Sequence, residues 1–361
     1  MSQDSAIPEG ARIFTICNAC RYCEGYCAVF PAMEHRRVFT PADLNYLANL
    51  CHDCGECFYA CQYAPPHEFA VNLPKTMAQI RIESYRRYAW PAPVARALER
   101  NTIFLLALLA LFLILLFAFV GRLSEAPRSG DFYLVISHRA MVIMFGAAAL
   151  AVSVLLSMGF RRFWRETGAG KTPEWPVLRK AFRDAFTLEY LRSGGTECTY
   201  PGEHHSGARR WFHHATFYGF LLCFASTSVA AFYDNILGWK APYGYLSLPV
   251  VLGTLGGLGL LAGPARLLVL KRQRDPAPTE SRQATLDIAF LLLLFFTSLT
   301  GLLLLVLRET RAMAPMLVVH LGIVMALFLT MPYGKFVHAV FRIGALIRYS
   351  QEHPSATDIR R

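Results

Sequence analysis

The sequence predicts a mainly α-helical membrane protein with a cysteine-rich N-terminal domain, and two observations support this. The first is composition: 54% of the 361 residues are hydrophobic and only 17% are charged, whereas soluble domains carry about 25% charged residues. The second is distribution, since eight of the ten cysteines lie before residue 62 and long apolar runs begin only at Thr102. A plain soluble enzyme is therefore excluded.

Six apolar runs follow Thr102, and each approaches or exceeds the ~20 residues that span a hydrocarbon core of about 30 Å. The first run, TIFLLALLALFLILLFAFVG, contains no charged residue. Six buried helices in a soluble protein would need a polar shell, and this chain lacks one. We predict six transmembrane helices, at residues 102–121, 134–159, 213–233, 245–264, 285–307 and 314–341.

The formal net charge of +11 is concentrated in the loops on one side of these helices. With the N-terminal end inside, the loops at 160–212 and 265–284 hold ten and five Lys/Arg, against two, one and two in the opposite loops. Cytoplasmic loops carry an excess of Lys and Arg, so we expect both termini in the cytoplasm and the chain in a bacterial inner membrane. The charge then fits a lipid bilayer as partner and requires no nucleic acid. Residues 175–192 predict an amphipathic helix along the membrane surface.

Two groups of four cysteines share the spacing C-x2-C-x2-C-x3-C, with which bacterial ferredoxins hold two [4Fe–4S] clusters. In that pattern the fourth cysteine of each group binds the neighbouring cluster. Zinc is the alternative, but zinc sites usually pair C-x2-C hooks across a longer loop. We predict a first cluster on Cys17, Cys20, Cys23 and Cys61, and a second on Cys51, Cys54, Cys57 and Cys27.

The cysteine domain departs from the bacterial ferredoxin pattern at one position in each group. Ala28 and Gln62 follow the fourth cysteines, where that pattern has proline. The intervening residues 28–50 have helical character, and the domain resembles the α-helical ferredoxins of dehydrogenase iron–sulfur subunits. We predict a ferredoxin-like iron–sulfur domain at 1–100, a transmembrane haem-binding bundle at 101–345 with a cytoplasmic loop at 160–212, and a cytoplasmic tail at 346–361.

Histidines within the apolar runs point to haem. An ionisable residue inside a membrane helix is costly and marks a functional site by default, although a single histidine could simply bond a backbone carbonyl. His320 and His338 lie eighteen residues apart in the sixth run, which in one helix is about 27 Å of rise and a return to the same face. Topology places His138 at the outer level with His320, and His213 and His214 at the cytoplasmic level with His338.

Two imidazoles from opposed helices can serve as the axial ligands of a haem iron. We predict one or two haem b groups, the outer one between His138 and His320 and the cytoplasmic-side one between His214 and His338. His213 is the alternative ligand to His214, which is preferred because Gly219 would leave room for the macrocycle. No G-x-G-x-x-G segment follows a predicted strand, so a flavin would belong to a partner protein.

Four segments resemble known families. The segment VVHLGIVMALFLTMPYGKFVH (318–338) is similar to the last helix of the respiratory nitrate reductase γ-subunit, a dihaem cytochrome b, although the two histidines ten residues apart on an earlier helix of that family are not reproduced here. Over its whole length the chain resembles the tricarballylate/citrate utilization protein B family. The matching segments are ICNACRYCEGYCAVFPAM (16–33), LCHDCGECFYACQYAPPHEFAVNLP (50–74) and RRWFHHATFYGFLLCFASTSVA (209–230).

The resemblance implies an electron-transfer subunit that reoxidises the FAD of a separate cytoplasmic tricarballylate dehydrogenase and reduces the membrane quinone pool. Such a subunit carries no substrate-converting catalytic residue of its own. The predicted fold class is then mainly α: an α-helical ferredoxin-like domain with two [4Fe–4S] clusters, followed by a six-helix cytochrome b-like bundle. Two alternatives stay open, a module serving a flavin-dependent monooxygenase of corrinoid synthesis and a redox sensor.

Overall fold

A computed structural model describes residues 6–121, 131–168, 172–195 and 204–353. Helices dominate, and no β-strand occurs among the described residues, which confirms the mainly α fold class.

Short helices build the N-terminal part around one apolar core. Helix α3 begins with a capping box, in which Asp43 N–H donates to Thr40 Oγ1 and Thr40 N–H to the Asp43 carboxylate, and such a box satisfies helix-end donors. Buried Phe14 and Leu47 belong to the core. The helices are α1 (Ala6–Cys20), α2 (Val29–Glu34), α3 (Pro41–Leu50), α4 (Glu56–Tyr59), α5 (Leu73–Tyr88) and α6 (Ala92–Arg100). The predicted helical character of residues 28–50 is thus confirmed.

The rest of the described chain forms eight further α-helices, of which six are long and apolar enough to cross a membrane. This confirms the predicted bundle. The six are α7 (Thr102–Val120), α8 (His138–Thr167), α10 (Ala208–Phe232), α11 (Leu248–Arg272), α12 (Ser281–Leu307) and α13 (Met313–Thr330), and the other two are α9 (Trp175–Phe186) and α14 (Val337–Glu352).

The sixth apolar run is not one helix, so the prediction of a continuous helix over 314–341 is wrong. Helix α13 ends at Thr330 and α14 begins at Val337. Pro332 and Gly334 lie between them, and proline disrupts a helix because it lacks an N–H and clashes with the preceding turn. His320 and His338 therefore lie on different helices, and their spacing of eighteen residues carries no information about a shared face.

Helix α14 connects the bundle to the N-terminal core instead of extending the bundle. It packs on α3, α8 and α9, and its buried Phe341, Ala345 and Leu346 share one apolar cluster with Leu44 and Leu47 of α3. The predicted boundary at residue 345 falls within this helix.

Helix α9 forms within the segment that the amphipathic pattern indicated. Ala181 is buried, whereas Trp175, Phe182 and Phe186 are exposed. Its position along a membrane surface stays a prediction.

Helices α10 and α11 approach until their backbones touch. A Cβ on Gly219 would lie 2.9 Å from the carbonyl oxygen of Gly256, and one on Gly256 would lie 2.8 Å from the amide nitrogen of Cys223. Small residues permit such close contact between membrane helices. Gly219 therefore faces α11 and leaves no room for a macrocycle, so the reason for preferring His214 over His213 is wrong.

Replacing Gly219 with leucine is expected to lower the stability of the purified protein by about 1–3 kcal/mol, the usual cost of overpacking. Gly146 of α8 is the matched control, since a Cβ there meets no atom within 4 Å, and Gly146→Leu is expected to leave the melting temperature unchanged or raise it. Thermal unfolding in detergent measures both. Equal melting temperatures for the two variants would contradict the close α10–α11 packing.

Candidate functional site

The eight N-terminal cysteines surround two neighbouring cavities, and none of them forms a disulfide. We call the cavity that Cys20 borders the first cavity and the cavity that Cys54 borders the second cavity. The first cavity is lined by Cys17, Cys20, Cys23, Cys57 and Cys61. The second cavity is lined by Cys27, Cys51, Cys54 and Cys57.

Local backbone conformation wraps the second group of cysteines around its cavity. Asp53 has φ 56° and Gly55 has φ 88°, in the left-handed region that glycine adopts without steric cost. These two residues turn the chain between Cys51 and Cys57, and Asp53 N–H donates to the Cys51 sulfur at 3.3 Å.

The distribution of the thiols fits polynuclear clusters. A [4Fe–4S] cluster takes one thiolate per iron and needs its ligands spread around a cavity. Within the described ranges, no three His, Cys, Asp or Glu side chains converge so as to hold one metal ion. Burial raises the pKa of Cys17 and Cys23 to about 12, and the neighbouring cysteines make a smaller contribution to that rise. A bound metal would favour the thiolate form of these side chains, because metal ligation requires deprotonated cysteine.

Four arginines, which the sequence analysis did not identify, contact residues 48–53, and part of this segment lines the second cavity. They come from α5, α10, α14 and the segment after α11, and two of them are almost fully buried: Arg81 is 4% exposed and the side chain of Arg274 is 5% exposed. Arg274 pairs with both carboxylate oxygens of Asp53, at 2.6 and 2.8 Å. Arg81 donates to the carbonyls of Ala48 and Cys51, each at 2.9 Å.

The other two arginines hold the cysteine segment by its backbone. Arg342 donates to the carbonyl of Leu50 at 2.8 Å, and Arg209 donates to the carbonyls of His52 and Asp53 at 2.7 and 2.8 Å. Residues 50–53 are therefore bound to helices of the bundle and to α14. Arg209 precedes His213 by four residues, and Arg342 follows His338 by four residues. This i, i+4 spacing is the sequence signal that would have identified the two arginines.

His213 of α10 and His338 of α14 are brought together, each four residues from the arginine on its own helix. Their ring centroids are 6.3 Å apart, and the ring planes are inclined by 75°. A metal ion bonded to both imidazoles at about 2 Å would place the centroids a little over 6 Å apart. The pair therefore has the spacing of two axial ligands of one iron.

Hydrogen bonding leaves ligand nitrogens free in this pair. The Nδ1 of His338 lies 2.7 Å from the carbonyl of Lys335 and must donate to it, so Nε2 carries the lone pair. Burial lowers the pKa of His338 to about 3, which keeps the ring neutral. The Nδ1 of His213 is buried without a hydrogen-bond partner. The pair therefore has the spacing, and His338 the free nitrogen, that ligation of one shared metal ion requires.

His214 points elsewhere. Its ring stacks on Tyr218 with a centroid separation of 5.7 Å and lies edge-on to Trp211. The described contacts of His214 do not include His338.

His138 and His320 each have a partner, and no contact among the described residues joins one to the other. The Nε2 of His138 lies 2.6 Å from a carboxylate oxygen of buried Asp234, which also pairs with Lys240 at 3.1 Å. The Nδ1 of His320 lies 3.0 Å from the Thr300 hydroxyl. The Nε2 of His138 is therefore occupied by Asp234 among the described contacts, and its pairing with His320 around an outer haem stays a prediction.

Comparison with known proteins was consistent along the chain. A family model described as "Citrate utilization protein B Fer4-like domain" matches residues 10–87, and one described as "Citrate utilization protein B" matches residues 93–357. The Escherichia coli protein named "Citrate utilization protein B" is 50% identical over 351 residues, which cover 95% of this chain and 92% of the relative. No solved structure matches.

Proposed function

Because this chain belongs to the citrate utilization protein B family, we propose that it serves citrate or tricarballylate utilization by carrying electrons from a reduced flavoprotein to membrane quinone. One observation carries the proposal: the cysteine segment 50–53, beside the second cavity, is bonded to the same two helices that bring His213 and His338 together. The FAD would belong to a cytoplasmic tricarballylate dehydrogenase, or to an enzyme of a related tricarboxylate.

The cavities support the crossed assignment of the cysteines. Cys61 lines the first cavity with Cys17, Cys20 and Cys23, and Cys27 lines the second with Cys51, Cys54 and Cys57. We assign a [4Fe–4S] cluster to each. For haem b we assign His213 and His338 as ligands, and we assign one haem per chain because His138 is bonded to Asp234. When bound, these groups supply one-electron carriers, which a two-electron flavin donor needs.

The exposure of the two cavities gives a direction to the transfer. The first cavity is bordered by Tyr22, which is 67% exposed, and so lies where a partner protein can approach. Cys51, His52 and Asp53 line the second cavity and belong to the segment that Arg209 and Arg342 bind from the helices of His213 and His338. We therefore propose that electrons enter at the first cavity and leave towards the bundle, with both chain ends on the cytoplasmic side of a bacterial inner membrane.

Proteoliposomes that contain the protein and ubiquinone-10 test this function, with dithionite added outside as the electron donor. Quinone reduction is expected to be at least tenfold faster than in protein-free vesicles, because the protein gives the aqueous reductant a path into the bilayer. The variant His338→Leu is expected to fall to the protein-free rate. A wild-type rate equal to the protein-free rate would contradict quinone reduction and favour the redox-sensor alternative.

A further inference from the structure

We infer that Arg209 and Arg342 are positioning residues that bind the cysteine segment 50–53 to α10 and α14, the two histidine helices, which carry His213 and His338. Through this arrangement they make a [4Fe–4S] cluster in the second cavity easier to reduce than one in the first. The inference rests on the proposed function only in requiring clusters in the two cavities. It concerns the order of the two carriers and the residues that set this order.

The two arginines occupy equivalent places on their helices. Arg209 precedes His213 by four residues on α10, and Arg342 follows His338 by four residues on α14. Residues four apart share one face of a helix. Each histidine helix thus presents, one turn from its histidine, an arginine that donates to the backbone beside Cys51.

These bonds fix the cysteine segment relative to the histidine pair. Arg342 reaches the carbonyl of Leu50, and Arg209 reaches those of His52 and Asp53. The contacted carbonyls lie on both sides of Cys51. Any movement of α10 or α14 that shifted a histidine would also shift this ligand of the second cavity.

The charges around the two cavities differ. Arg81, Arg209 and Arg342 donate to backbone carbonyls of residues 50–53, three of which line the second cavity. Asp53 and Glu56 also line that cavity, but the Asp53 carboxylate is paired with Arg274. No charged side chain is among the described residues that line the first cavity.

A reduced cluster carries one more negative charge than an oxidised one, so nearby cations stabilise the reduced form and raise its potential. Arg342 has a buried Nη2 without a hydrogen-bond partner, and water and salt screen a buried charge much less than an exposed one. An electron is therefore expected to move from the first cluster to the second, leaving the first oxidised and the second reduced, in the direction of the histidines.

Redox titration of the holoprotein, followed by electron paramagnetic resonance, tests the inference. In the wild type two clusters are expected to reduce at separate potentials. In Arg342→Gln only the higher potential is expected to fall, so that the equilibrium constant for transfer from first to second cluster drops about tenfold, or ~59 mV for one electron. Arg342→Lys, which keeps the charge, is expected to retain most of the wild-type separation.

Arg209→Gln provides the second variant, should Arg342→Gln lose iron. It is expected to lower the same potential at unchanged iron content. Arg210→Gln is the matched control, because Arg210 is the next residue on α10 but donates to the carbonyl of Thr187. Its potentials are expected to equal those of the wild type.

Two kinds of failure are distinguishable. A wild-type protein without clusters would overturn the proposed function. Unchanged potentials in both glutamine variants, or equal shifts of both clusters, would overturn only the role of the arginines.

Discussion

Replacing His338 with leucine is expected to remove haem from the protein and to leave the iron of both clusters in place. The ring of His338 pairs with His213 at a centroid distance of 6.3 Å, and its Nε2 is free because Nδ1 donates to Lys335. Leucine keeps the apolar volume but supplies no ligand nitrogen. We expect haem content to fall at least tenfold, with quinone reduction falling alongside, as measured by the absorbance of the reduced protein.

The neighbouring histidines of α10 provide the control. His213→Leu is expected to lose haem as His338→Leu does, whereas His214→Leu is expected to keep it, because His214 packs on Tyr218 and Trp211. Loss of haem from His214→Leu alone would restore the ligand pair His214 and His338 and contradict the pair assigned from the ring geometry.

Replacing Cys61 with serine is expected to damage the same cluster as replacing Cys20, although the two residues belong to different sequence groups. Both line the first cavity, and the Gln62 side chain lies 3.8 Å from the Cys20 sulfur. Cys27→Ser is expected to damage the other cluster, together with Cys54→Ser, because both line the second cavity. Each serine variant should lose about half of the iron or convert one cluster to a three-iron form.

Electron paramagnetic resonance of the reduced variants separates the two patterns. We expect Cys20→Ser and Cys61→Ser to leave one and the same cluster signal intact, and Cys27→Ser and Cys54→Ser to leave the other. If Cys61→Ser instead matched Cys54→Ser, each group of four would bind its own cluster, and the crossed assignment would be wrong.

The strongest features of the fold could be predicted from local sequence. An uncharged run such as that of α7 has few other stable structures, and the helical character of residues 28–50 follows from the segment itself. The break between α13 and α14 was missed because the apolar run continues past Pro332 and Gly334. Hydropathy does not register the loss of backbone hydrogen bonds at proline, nor the alternative core that α3 offers to Phe341 and Leu346.

Prediction of the candidate site has the same limit, because local sequence does not report contacts between distant parts of the chain. The cysteine spacing indicated clusters because their ligands are close in sequence. Arg209 and Arg342, in contrast, reach residues 50–53 from more than 150 positions away in the chain, and no local pattern reports such contacts. The partner of His138 is Asp234, which lies in a turn of π-helix. Topology predicts a membrane level for each histidine but not which side chain its ring nitrogen meets.

The most direct test of the electron-transfer function is the haem and iron content of the detergent-purified protein, together with its reduced-minus-oxidised optical spectrum. We predict one haem b per chain and about eight non-haem irons, the content of two [4Fe–4S] clusters. Non-haem iron without haem would contradict the role of His213 and His338, and two haems per chain would contradict the assignment of His138 to Asp234. A protein with neither iron nor haem would contradict electron transfer altogether.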